Sequence, residues 1–300
     1  MQVNLNERSR YVNTPAPEVA AIWRKHNLVI NVVSGIAILV LALSFLARSN
    51  PSLLAFIGTL VGFAAIVLAQ WAFKFRETNE VLKVVTHDCD PAKLAQTIDI
   101  MLANMRDKRS RQMFSSNYAL CSALMGYDDV ALAWVSQVEQ QAPKNKLLRL
   151  SLINTRIAVA AHHADASALA NLRGQVLAIE GESRQGTPLE KNANTLLCSI
   201  DRHLAFIAKD YERVRELNGS LEALATTPQA VVAYAYNKGE LEDALGNVAA
   251  AWPHFAFVAN QGGTTLVHAK AVEWLGAHDP RNAAPAVTSG EEAADADQAR

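Results

Sequence analysis

The sequence predicts an all-α protein in which a transmembrane helical hairpin carries a larger domain of short helices. Two observations predict it. Two uncharged apolar runs, Leu28 to Ala47 and Leu53 to Phe73, lie only five residues apart. From residue 91 onward, apolar residues recur at i, i+3 and i+4, alanine and leucine dominate, and the alternation of β-branched residues that marks strands is missing.

The first run has 20 residues and the second 21. At about 1.5 Å rise per residue either one spans the roughly 30 Å hydrocarbon layer of a bilayer. The connection Arg48-Ser49-Asn50-Pro51-Ser52 is turn-forming and joins only adjacent helix ends, which makes the two helices antiparallel neighbours. A cleaved signal peptide fits poorly, because 27 residues precede the first run and Phe45 breaks the small-x-small pattern before Ala47. Two buried helices of a soluble protein fit poorly as well, since neither run has a polar face to turn toward water.

Basic residues set the expected orientation. Arg8, Arg10, Arg24 and Lys25 precede the first run and Lys74, Arg76, Lys83 and Lys93 follow the second, against Arg48 alone in the loop. Both termini are therefore expected on the cytoplasmic side, of a bacterial cell membrane. Trp23 and Trp71 fall at that interface, where an amphipathic indole is favoured. In the second run Gly58 and Gly62 form a GxxxG, whose missing side chains let another helix approach closely. That helix is either the first of the hairpin or one from a second copy in a homo-oligomer.

Residues 1–27 form an N-terminal segment, and residues 74–90 continue the second helix beyond the bilayer until His87-Asp88-Cys89-Asp90-Pro91 interrupts it. Asp90 caps a new helix with Pro91 in its first turn. Ten helices are predicted in the cytoplasmic domain: 91–104, 109–124, 128–141, 144–161, 165–180, 188–208, 210–225, 228–237, 240–258 and 264–276. From 278 to 300 the chain has no apolar period, is rich in alanine and acid, and reads as a disordered tail.

Within GYDDVALAWVSQVEQQAPKN, Gly126 marks a turn, Ala131 is small where helices cross, and Pro143 ends the pair, with Tyr118 and Ala119 on the helix before it. This stretch resembles a tetratricopeptide (TPR) repeat. NKGELEDALGNVAAAW offers a second glycine and alanine five apart, Gly239 and Ala244, and AKDYERVREL a weaker copy with Lys209 and Val214. Gly126 and Gly239 do not fit a multiple of the roughly 34-residue period, so the array is irregular. The resemblance covers residues 91 to 277 and implies stacked helical pairs with a groove for a protein partner.

No local signature of an enzyme class is present, and no GxSxG, P-loop, GxGxxG or HExxH is found. No catalytic residue, cofactor or metal site is expected. Cys89, Cys121 and Cys198 are too scattered for a disulfide framework or a zinc site. His87 to Asp90 reads as a helix break and cap, and His162, His163 and Asp165 as a helix end followed by a cap. A net charge of -1 gives no field for nucleic acid. The basic run MRDKRSR, with Arg106, Lys108, Arg109 and Arg111, reads as a solvated turn or as a contact with anionic headgroups. The expected role is a membrane-anchored scaffold that recruits a protein partner. The alternatives are an accessory subunit of a transport or secretion complex, or an enzyme without a recognisable motif.

Overall fold

The computed structural model describes residues 3–47, 52–142 and 144–279. These form twelve helices and, among the described residues, no strand. They are α1 (Ala16–Leu46), α2 (Leu53–Thr86), α3 (Pro91–Leu102), α4 (Lys108–Leu124), α5 (Asp128–Glu139), α6 (Lys146–His162), α7 (Ala166–Gly181), α8 (Pro188–Ile207), α9 (Tyr211–Leu224), α10 (Pro228–Ala244), α11 (Val248–Gln261) and α12 (Leu266–His278). The loop residues Arg48 to Pro51, Pro143 and the tail from residue 280 lie outside the described residues.

The two apolar runs are parts of longer helices. α1 begins at Ala16, where Pro15 holds the extended backbone of a cap and Pro17 fits the first turn, and it runs on through the first span. α2 is one uninterrupted helix of 34 residues, capped by the Ser52 hydroxyl. Both are long and apolar enough to cross a membrane, and only 6% and 0% of their most apolar stretches is buried. A core helix of a soluble protein would be mostly covered. Here Leu54, Leu60 and Leu68 stand exposed instead. The helices pack on each other, and the Gln70 amide donates to Asn31 Oδ1 at 2.9 Å across them. Gln70, at the end of its span, thus finds its partner inside the hairpin.

Beyond the apolar runs both helices enter a packed core. Val81, Val84 and Val85 of α2 pack with Val19 and Ala20 of α1, with Leu94, Ile98 and Met101 of α3, and with Phe114 of α4. Within this region Glu77 is 7% exposed and accepts from Arg10 and from His26 Nδ1 at 2.7 Å. Desolvation by itself raises the Glu77 carboxyl, but the hydrogen bonds and charges of Arg10 and His26 outweigh it and hold the carboxyl below its usual range. The N-terminal segment is strapped to the end of α2. The Ser9 amide donates to Asp88 Oδ1 at 2.8 Å, the Ser9 hydroxyl also bonds Asp88, and Lys93 Nζ donates to the carbonyls of Tyr11 and Val12.

One turn recurs along the chain. Cys89, Gly126, Ala164, Lys209 and Gly246 all have left-handed backbone, with φ between 50° and 82°. After four of them the next amide donates to a carbonyl five residues back: Tyr127 to Ser122, Asp165 to Ala160, Asp210 to Ala205 and Asn247 to Glu242, at 2.8–2.9 Å. This is the Schellman closure of one helix followed at once by the cap of the next. Asp90, Asp165 and Asp210 supply that cap through their carboxylates. The residue five positions after each turn is buried at 0% exposure: Leu94, Ala131, Leu169, Val214 and Ala251. The turns from residue 89 through 126, 164 and 209 to 246 are 37, 38, 45 and 37 residues apart. The distal end of α2 with α3, then α4 with α5, α6 with α7, α8 with α9 and α10 with α11 are therefore equivalent pairs, and α12 follows the last of them. The long interval contains the connection Glu182 to Thr187 between α7 and α8.

The ten predicted helices match the ten from α3 to α12 within a few residues, except at one break. Gly239 is not a turn. It lies inside α10, which continues to Ala244, and the turn falls at Gly246. A glycine occupies 239 because the Phe255 ring packs there, 3.0 Å from where a Cβ would stand. Lys209 does occupy a turn, as the weaker copy suggested.

The array closes on itself. The Thr264 amide donates to the Cys89 carbonyl at 3.1 Å, its hydroxyl donates to Asp90 Oδ1 at 2.9 Å and accepts from the Ala92 amide, and Leu266 packs over Gly126. Gly263 makes this possible. Its φ is +58°, and a Cβ there would lie 2.1 Å from the Cys89 carbonyl oxygen. Gly246 also has positive φ but faces open space. Gly246→Ala should cost roughly 1–2 kcal/mol of left-handed strain, and Gly263→Ala a further roughly 1–3 kcal/mol of overpacking. Thermal unfolding of the detergent-solubilised chain, followed by circular dichroism, should give a clearly lower midpoint for the variant at 263.

Candidate functional site

The first helix of each later pair faces inward. α4, α6, α8, α10 and α12 line a groove of about 760 Å³, to which the outer helices add only Leu221 of α9. Its walls are mixed. Leu120, Leu124 and Leu147 offer apolar surface, while Asn154, Thr195 and Ser199 present hydrogen-bonding groups. A surface of this kind suits an amphipathic segment better than a fully apolar ligand.

At the groove wall α8 and α10 are joined by a buried cation. Arg202 is 1% exposed, and its Nη2 donates to the Asn237 carbonyl at 3.2 Å and to Glu240 Oε2 at 3.0 Å. Its guanidinium also lies 4.8 Å from the centre of the Phe206 ring. Burying a guanidinium is tolerated only when its charge is paired and its donors are used. Asn218 of α9 donates to the same Asn237 carbonyl at 3.5 Å. The Arg202 side chain therefore ties two successive pairs together, while its Nε–H is buried without a hydrogen-bond partner.

Next to it, His203 Nδ1 faces Arg202 Nη1 at 3.4 Å and accepts from it. Burial, the Arg202 charge and nearby His162 push the His203 imidazole down to about 3, from an ordinary value of 6.5. It is neutral in the folded chain at physiological pH. The thiols are quiet. Burial raises Cys89 to about 11 and raises Cys121 and Cys198 too, so none carries the thiolate that nucleophilic chemistry requires.

The residues singled out from the sequence are dispersed. Gly62 faces α1, with a would-be Cβ 3.3 Å from both Leu41 methyls, whereas Gly58, one turn earlier, meets open space. The two glycines of the GxxxG thus do not share one helix contact. His162 and His163 both bond Asp128, at 2.9 and 3.0 Å, pinning the end of α6 to the start of α5. Among the described residues no group of three His, Cys, Asp or Glu side chains is placed to share a metal ion. Asp165 caps α7 through the Ala168 amide, and Asp90 caps α3. Arg202, His203 and Glu240 were not singled out from sequence. Their signal is weak, a lone arginine near the apolar stripe of α8.

Comparison with known protein families, with curated proteins and with solved structures finds no match to this chain.

The depressed His203 value makes acid sensitivity testable. The unfolded chain takes up a proton near pH 6.5 and the folded chain only near pH 3, so His203 favours folding fully above about 6.5 and progressively less as pH falls toward 3. Between pH 7 and pH 5 the unfolding midpoint should fall less in His203→Gln than in the native chain. Equal falls would show that His203 titrates alike in the folded and unfolded states.

Proposed function

We propose that this protein is a membrane-anchored recruiting module. α1 and α2 cross the bilayer as an antiparallel hairpin with both termini in the cytoplasm, and the TPR-like array of helical pairs presents its inner groove to a segment of a protein partner. The observation that carries this reading is the double nature of α2. Its first part is bare and apolar, and its last turns pair with α3 in the core of the array, with Val81 and Val84 fully buried. Anchor and array share one rigid helix, so a partner held in the groove stays at a set position relative to the membrane.

The recurring left-handed turn with its buried residue five positions on supports the TPR likeness, as does the groove lined by α4, α6, α8, α10 and α12. The long interval between Ala164 and Lys209 departs from a 34-residue period. A groove of mixed polarity fits a short helical or extended protein segment.

Topology is checked by labelling. Cysteines placed at Ser49 and at Ser220 should differ, an impermeant reagent added outside intact cells reaching only the one at 49. Equal labelling of both would overturn the orientation. Recruitment is checked by pulldown from detergent extract. A partner retained by the native chain should be lost from the doubly blocked variant Asn154→Trp, Ser199→Trp, and kept by Glu212→Trp on exposed α9. Retention by all three would remove the groove from the proposal.

A further inference from the structure

The basic turn between α3 and α4 returns to the level at which the spans end. α3 starts at the far end of α2 and, packing along α1 and α2, runs back for 12 residues, about 18 Å. The part of α2 beyond its apolar run, Lys74 to Thr86, is of nearly the same length, about 20 Å. The two lengths cancel, which puts residues 103–111 level with Lys74 to Glu77.

Side-chain contacts place the turn there independently. Trp23 of α1, five residues before the first apolar run, meets Phe114 edge-on with ring centres 5.5 Å apart. Met105 and Met113 pack against the same cluster as Ile22 and Trp23. α4 runs away from this level, because Cys121 near its other end packs in the cluster with Val84 and Val85 of α2 and Leu94 of α3. Lys108 therefore lies about 9 Å closer to the spans than Phe114.

The turn and the span ends bear one sign of charge. Arg106, Lys108, Arg109 and Arg111 are exposed. Arg24 and Lys25 of α1 and Lys74 and Arg76 of α2 end the spans at the same level. The ion pairs among the described residues engage none of these eight. The acid within the turn, Asp107, is occupied in capping α4 through the Ser110 amide at 2.7 Å.

We infer that the α3–α4 turn binds the anionic phospholipid headgroups of the membrane that α1 and α2 cross. This rests on the membrane reading above and adds to it a second contact, separate from the spans. The hairpin and the array it carries can still tilt in the bilayer as one rigid body. A basic turn on the headgroups fixes that tilt and hence the direction in which the groove opens. Clustered arginines and lysines just cytoplasmic of a span are the arrangement that anionic lipid attracts.

The test uses the full chain reconstituted into nanodiscs of phosphatidylcholine alone, or of phosphatidylcholine mixed with phosphatidylglycerol. The readout is amide hydrogen exchange at residues 103–111. Exchange there should slow several-fold in the anionic discs. It should return to the neutral-disc rate in the R106Q/K108Q/R109Q/R111Q variant and at high salt, with the thermal midpoint unchanged. Incorporation with equal exchange in both discs would overturn this inference alone. Failure to incorporate would overturn the membrane reading and this inference with it. Equal slowing by inorganic phosphate added to neutral discs would show a free-anion site and overturn the lipid assignment.

Discussion

The architecture depends on the contact between the Cys89 turn and the Gly263-Thr264 loop. There the end of α2, the start of α3 and the entry to α12 meet within hydrogen-bonding distance, and Asp88 draws in the N-terminal strap through Ser9. The Cys89 carbonyl follows a left-handed residue that interrupts the helix, so it needs a partner from outside the helix. The Thr264 amide supplies it, and only a glycine at 263 lets the backbones approach that closely. With this contact the last helix faces the first pairs, and the row encloses a groove.

The second dependence is on the continuity of α2. A helix that leaves an apolar environment and enters a protein core without a break couples the two mechanically, since bending an intact helix sharply requires a proline, a bulge or an inserted group. None interrupts α2 between Leu53 and Thr86. Glu77 strengthens the junction: a carboxylate about one turn beyond the apolar run is buried by Arg10 and His26, and this holds the N-terminal strap, α1 and α2 together. The groove is then held in a fixed position relative to the two apolar helices through side chains that are themselves locked.

Much of this was legible in the sequence because its causes are local. The apolar runs, the caps at Asp90 and Asp165, and nearly all helix limits follow from period, propensity and capping chemistry. The turn at Lys209 was legible from its spacing to Val214 although lysine is an unusual left-handed residue, and the Asp210 cap behind it is a further signal. The same signal, an aspartate or asparagine before four of the five outer helices, marks Asp90, Asp165, Asp210 and Asn247, and it would have moved the turn from Gly239 to Gly246. The glycine-alanine spacing misled at Gly239 because a glycine also occurs where a ring needs room, and Phe255, which supplies the ring, belongs to another helix.

The sequence by itself determined that the chain is helical, where its helices start and stop, and that two of them are too apolar for water. It did so because hydrogen bonding within a helix, capping and hydropathy are decided over a few neighbouring residues. The tertiary structure alone decided that α2 is both a bare apolar helix and part of the core, that the row of pairs closes, that Arg202 joins α8 to α10, and that a basic turn returns to the level at which the apolar runs end. Each of these follows from contacts between residues far apart in the chain, such as Cys89 with Thr264 and Trp23 with Phe114, whose pairing no local pattern encodes.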